Sequence, residues 1–131
     1  MVKGIGISMV SISDVDRLCG GVAGKTADQQ NAFVRSTFTE REMACALGRR
    51  SPSRYLAGRL AAKRAAVKAM APLAAQGFDL HCVEILTKPS GAPYVEVGPQ
   101  LRDALNEVGA SEMLVSITNE DDHAAAVVLV Q

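Results

Sequence analysis

The stretch at residues 55–70, YLAGRLAAKRAAVKAM, decides how the rest of the chain is read. Alanine and other strong helix formers fill it, and Leu56, Leu60, Val67 and Met70 fall on one stripe at 3.6-residue periodicity. The pattern predicts a central helix from about residue 53 to residue 70. Two cations interrupt it. On the helical wheel Lys63 falls inside the apolar stripe and Arg64 lies at its edge, whereas charged side chains normally face water. Either their long stems snorkel to solvent, or they serve a site that needs charge.

Toward the N-terminus, residues 2–10 alternate. Ile5, Ile7 and Met9 lie on one face, and Gly4, Gly6 and Ser8 on the other. This is a short strand whose small-residue face invites close approach by a ligand or another backbone. Ser13 and Asp14 are candidate caps for a helix carrying Val15 and Leu18, with Gly20, Gly21 and Gly24 to end it. A polar stretch with helical bias runs on to about Arg35. Thr39 followed three residues later by Glu42 has the form of a capping box, so FTEREMACAL begins another helix.

Toward the C-terminus, the chain turns to β character after Pro72 and Gly77. HCVEILT and APYVEV, joined by KPSG, read as a hairpin. Gly98-Pro99 introduces a short amphipathic helix with Leu101, Ala104, Leu105 and Val108, and MLVSIT and AAAVVLV form a second hairpin around the polar loop NEDDH. No internal repeat or long linker divides the chain, so residues 1–131 are read as one domain. The expected class is α+β, with the long helix packed on a mainly antiparallel sheet.

Lys and Arg balance Asp and Glu at 14 each, so no global charge draws the protein to nucleic acid or to a membrane surface. Cys19, Cys45 and Cys82 are odd in number, far apart and outside any CxxC spacing, which argues against a disulfide framework or a zinc site. No apolar run approaches the ~20 residues needed to span a bilayer, and MVKGIGISMV lacks the form of a signal peptide. A cytoplasmic location is expected.

GIGISMVSI, FTEREM, YLAGRLAAKRAAVKAM, SGAPYVEV and LVSITNEDDHAAAVVLV, in that order, resemble the motifs of the holo-acyl-carrier-protein synthase family of phosphopantetheinyl transferases. The resemblance covers nearly the whole chain and implies the 4'-phosphopantetheinyl transferase-like fold. It further implies transfer of 4'-phosphopantetheine from coenzyme A to a serine of acyl carrier protein, with release of 3',5'-ADP. A homotrimer with active sites between neighbouring subunits is also implied. The family pattern begins G-I-G-x-D and later reads A-A-K-E-A, its Asp and Glu holding magnesium against the pyrophosphate of coenzyme A. Here those positions are Ser8 and Arg64.

Magnesium takes hard oxygen ligands, usually one or two carboxylates plus substrate phosphates. Ser8 offers a neutral hydroxyl, and Arg64 has donors, no acceptor and a fixed positive charge. No metal ligand is therefore assigned. Two further departures are Asn119, where the family commonly has His in S-x-[ST]-H, and Ala92, where it prefers a basic residue in G-[KR]-P. Asn cannot shuttle a proton near neutral pH.

Other matches survive. By resemblance Glu42 and Lys63 are the catalytic candidates, and Gly58, Arg59, Lys63, Arg64, Ser116, Thr118 and Asn119 are the candidates for holding coenzyme A. Arg17 matches in kind the basic residues that meet the carrier protein's acidic helix. Each has a plainer reading: Glu42 as a capping carboxylate, Lys63 and Arg64 as a solvated pair, Glu120, Asp121 and Asp122 as a solvated turn, and His81 and His123 as surface or structural residues. A sharper one is that Arg64 supplies in fixed form the charge magnesium would have brought.

The expected function is a holo-acyl-carrier-protein synthase-like protein whose metal-dependent transfer is impaired or lost. The alternative is a non-catalytic carrier-protein-binding or regulatory subunit that assembles with an active paralogue.

Overall fold

The computed structural model describes residues 1–20, 31–73 and 79–131. The expectations for Gly21, Gly24, Gly77 and the polar stretch before residue 31 lie outside them. In chain order the elements are β1 (Gly4–Ser11), α1 (Ile12–Leu18), α2 (Ala32–Thr37), α3 (Glu40–Leu47), α4 (Pro52–Met70), β2 (Glu84–Thr87), β3 (Pro93–Glu96), α5 (Pro99–Glu107), β4 (Met113–Glu120) and β5 (His123–Val130). A 3-10 turn at Leu80–Cys82 leads into β2.

Helix α4 is the spine, as its sequence predicts. Proline at its first position presets the helical φ, and along its length only Arg54, Arg64 and Lys68 are exposed. It lies across an antiparallel sheet of order β1-β5-β4, and β2 and β3 form a separate two-stranded sheet. The α+β architecture with a long helix on an antiparallel sheet is the one expected.

The small-residue face of β1 is what lets α4 settle so low. A Cβ at Gly6 would lie 1.9 Å from the Ala65 carbonyl oxygen, and one at Gly4 would lie 2.3 Å from that of Ala69. Backbone therefore meets backbone, and Ser8 continues the same row at 5% exposure. The opposite face is left uncovered: Ile5, Ile7 and Met9 are 59%, 64% and 65% exposed. By register they stand beside Leu129, Val127 and Ala125 of β5, and Leu114 of β4 extends the apolar surface.

Several boundaries differ from expectation. Ser11, not Ser13 or Asp14, caps α1, its side chain accepting from the Asp14 amide. Ser13 is held elsewhere: its amide donates to Asp122 Oδ1 at 3.0 Å and its hydroxyl to Oδ2 at 2.7 Å. The loop NEDDH shrinks to a two-residue turn, because cross-strand pairing draws Asn119 and Glu120 into β4 and His123 into β5. Asp121 takes the left-handed conformation there, with φ 53°. His81 and Cys82 belong to the 3-10 turn, so β2 begins only at Glu84. The capping box is present as predicted, Thr39 accepting from the Glu42 amide and Glu42 from the Thr39 amide.

All three cysteines are free. Burial, with help from Asp16, pushes the Cys19 thiol up to about 11, which leaves it protonated and unreactive near neutral pH.

Candidate active site

Two clefts flank α4. The first, about 640 Å³, opens at the N-terminal end of the helix between the β2–β3 loop and β4. Five cations line it: Arg49 and Arg50 from the turn before α4, Arg54 and Arg59 from α4, and Lys88 from the β2–β3 loop. No acidic side chain is among its lining residues. Such a wall suits a ligand carrying several phosphate charges, since guanidinium forks match phosphate oxygens.

Arg59 is the most constrained of the five. Only 8% exposed, it donates from Nη2 to Thr87 Oγ1 at 2.5 Å and stacks on the Tyr55 ring at 4.0 Å. Its Nε has no protein hydrogen-bond partner among the described residues. Burial lowers the Arg59 pKa and raises that of Tyr55, yet arginine stays charged at any physiological pH. Arg49 also packs over Tyr55, at 4.7 Å. The aromatic ring thus holds two guanidinium groups at the cleft wall.

Gly58 and Asn119 meet at the same place. A Cβ on Gly58 would lie 3.1 Å from Ile117 Cγ2 and 3.7 Å from Asn119 Oδ1, so the glycine lets β4 approach the helix and brings Asn119 to the cleft. Ser116 and Thr118 point the other way, exposed on the uncovered face of the sheet. Of the residues matched to coenzyme A binding, this protomer brings Gly58, Arg59 and Asn119 together and holds Ser116 and Thr118 apart from them.

The second cleft lies against α1 and is lined by Ser11, Asp14, Arg17, Leu60 and Arg64, among others. Arg64 is exposed there, while Ser8 is buried beneath α4. Asp14 is engaged in an ion pair with Arg17. The residues present do not fit the magnesium ion that the resemblance implies. Magnesium usually takes one or two carboxylates, and the two positions where the family pattern has them offer the buried hydroxyl of Ser8 and the guanidinium of Arg64, which has no acceptor.

Glu42 and Lys63 are in neither cleft. Both are fully buried and paired, Nζ to Oε1 at 2.8 Å. Burial pushes the Lys63 pKa down, and the Glu42 charge beside it pulls it back up. Of the two readings offered for Lys63 and Arg64, snorkelling does not hold for Lys63, which is fully buried. For Arg64 it fits the exposed position.

Sequence reasoning passed over Arg49, Arg50, Arg54 and Lys88. The run GRRSPSR was available as a signal, since three arginines crowd the start of the long helix. Lys68 was also missed. One turn beyond Arg64, its Nζ donates to the Ile7 carbonyl at 3.0 Å.

A family model described as the 4'-phosphopantetheinyl transferase superfamily matches residues 4–128. A holo-[acyl-carrier-protein] synthase of Nitratidesulfovibrio vulgaris is 33% identical, covering 100% of this chain and 99% of that protein. The crystal structure of the holo-[acyl-carrier-protein] synthase of Neisseria meningitidis superposes with a TM-score of 0.82 at 29% identity, covering 100% of this chain and 99% of the other. That of Helicobacter pylori, solved in complex with coenzyme A, superposes at 0.71 with 21% identity over 97% of this chain and 99% of the other. With the fold, the motif order and these matches in agreement, the chain belongs to the holo-[acyl-carrier-protein] synthase family of the 4'-phosphopantetheinyl transferase superfamily.

Proposed function

We propose that this protein binds coenzyme A in the basic cleft and engages acyl carrier protein, while the magnesium-dependent transfer of 4'-phosphopantetheine is impaired or lost. The observation that carries the reading is the contrast between the two clefts. The first keeps five cations and no acid for a polyphosphate ligand. The second is lined by Arg64, and Ser8, buried beneath α4, is the other position where the family pattern has a carboxylate.

Binding in the family's manner needs a countercharge for the diphosphate; the five cations of the basic cleft supply it there, and Arg64, which lines the second cleft, supplies fixed charge to any part of the ligand that reaches that side of α4. Coenzyme A is known at this fold from the Helicobacter pylori complex. Arg17, exposed on α1, is available to an acidic carrier protein. The three free cysteines suit the reducing cytoplasm, and among the described residues no helix is long and apolar enough to cross a membrane. The uncovered face of Ile5, Ile7, Met9 and Leu114 supports assembly into a homotrimer.

A second reading, a regulatory subunit that assembles with an active paralogue, is favoured by one combination. The apolar face and the basic cleft are kept while the metal positions are lost.

Calorimetry with coenzyme A tests the binding reading. The parent protein should bind equally with and without magnesium. Arg54→Ala should weaken binding about tenfold, the ~1.4 kcal/mol expected of one charge-assisted hydrogen bond, and Arg64→Ala should also weaken it. Absence of binding by the parent would refute the cleft assignment. Unchanged affinity in Arg64→Ala would remove the role given to that guanidinium.

A further inference from the structure

The buried pair Glu42–Lys63 is turned inward, with three of the four acceptor sites of Glu42 and all three donors of Lys63 engaged by the protein. Glu42 Oε1 accepts from Lys63 and from the Thr39 amide at 2.9 Å, and Oε2 accepts from the Ile85 amide at 2.9 Å. Lys63 Nζ completes its three donors with the carbonyls of Val83 at 2.5 Å and Leu80 at 3.3 Å. An ammonium has only three donors, and all are spent inside the protein.

What these bonds hold is one short segment. Leu80, Val83 and Ile85 lie just before and at the start of β2. Glu84 between them is tied to the same helix terminus, accepting from Thr39 Oγ1 at 2.5 Å and from Arg41 Nη1 at 3.2 Å. The hairpin that follows pairs only with itself and shares no ladder with the main sheet. At its far end Thr87 accepts from Arg59, and Lys88 lines the basic cleft. Two steps along the strand, about 7 Å at the usual rise, carry the chain from the anchored Ile85 to Thr87.

We infer that Glu42 and Lys63 are positioning residues for the basic cleft: together they clamp the base of the β2–β3 hairpin and so set the placement of Thr87, Arg59 and Lys88 against a bound phosphate group. The bearing on ligand rests on the coenzyme A reading given above; the clamp itself rests on the hydrogen bonds alone. Removing one partner strands a buried charge at the hairpin base, and the strain is relieved most cheaply by a hairpin that has no other ladder to hold it.

Amide hydrogen exchange and coenzyme A calorimetry on the full chain separate this role from general core stability. Leu105→Ala on α5, another fully buried position, serves as a control for loss of thermal midpoint. Glu42→Gln should raise exchange across residues 83–91 about tenfold and raise the coenzyme A Kd about tenfold, whereas Leu105→Ala should change neither locally. The uncharged double variant Glu42→Gln/Lys63→Met strands no charge and is the milder test should the single variant fail to fold. It still leaves the Val83 and Leu80 carbonyls without their donor, and it should raise both quantities about threefold. Exchange in residues 83–91 no greater than in Leu105→Ala, for either variant, overturns the clamp. A fall in affinity with unchanged exchange also overturns it, since that would mean direct contact with ligand. If the parent binds no coenzyme A, the cleft reading fails and the exchange comparison alone decides the clamp.

Discussion

At Gly6 even a methyl group has no room, because its Cβ would meet the Ala65 carbonyl oxygen at 1.9 Å. The atom in the way is helix backbone, which cannot swing aside as a side chain can. Gly6→Ala should therefore cost about 1–3 kcal/mol, the usual range for overpacking a well-filled core, read as a lower urea midpoint. An unchanged midpoint would mean that β1 and α4 are less closely packed than described. Lys63 shows how far sequence reaches at this scale. The helical wheel placed it inward, and the structure buries it completely. Its partner Glu42 lies 21 residues away on another helix, and periodicity within one element carries no information about which element faces it. Arg64 was set at the edge of the same stripe, and one step of the helix carries it out to solvent.

Among the elements, the tip of the last hairpin does more than reverse the chain. Asp122 accepts hydrogen bonds from Ser13 and Ser11, and these hold its carboxyl below the usual carboxylate range. The sign of the pH effect follows. A depressed folded-state pKa contributes stability that is present above the unfolded value of about 3.9 and is lost as the pH falls through the folded value. Asp122→Asn should flatten the acid side of the stability profile, so that below about pH 4 the thermal midpoint of the parent falls more steeply than that of the variant. Parallel curves would show that the serines hold nothing of consequence. The hairpin itself was legible from two apolar runs, but its turn was read too long. Charged residues at a strand end look like loop in sequence, and only the cross-strand register between Glu120 and His123 shows that pairing continues to the tip. For α1 the same cause applies: Asp122 occupies Ser13 and passes the cap to Ser11.

Across the whole molecule, the alternation of β1 was legible, and so was the close approach of another backbone to its small-residue face, but not that its apolar face would be left open. An apolar row of Ile5, Ile7 and Met9 is ordinarily the core face, and here it is the small-residue row that packs on the helix. The apolar row is explained if copies of the chain cover it. Ile7→Glu should then convert the proposed trimer to monomer in sedimentation velocity, with little loss of helical signal. A parent protein that sediments as a monomer would contradict the assembly. The cleft was only half visible in sequence, because its cations come from a turn, a helix and a hairpin loop that only the fold brings together.

The central claim is that the scaffold is retained while its metal chemistry is not, and product formation tests it most directly. Apo-acyl carrier protein is incubated with coenzyme A, magnesium and either the parent or the double variant Ser8→Asp/Arg64→Glu, and its mass is followed by mass spectrometry. The parent should leave the carrier protein unmodified or nearly so. The double variant should add phosphopantetheine, with a gain exceeding the sum of the single variants because both carboxylates would face one ion. Efficient transfer by the parent, at a rate the double variant does not improve, would contradict the account.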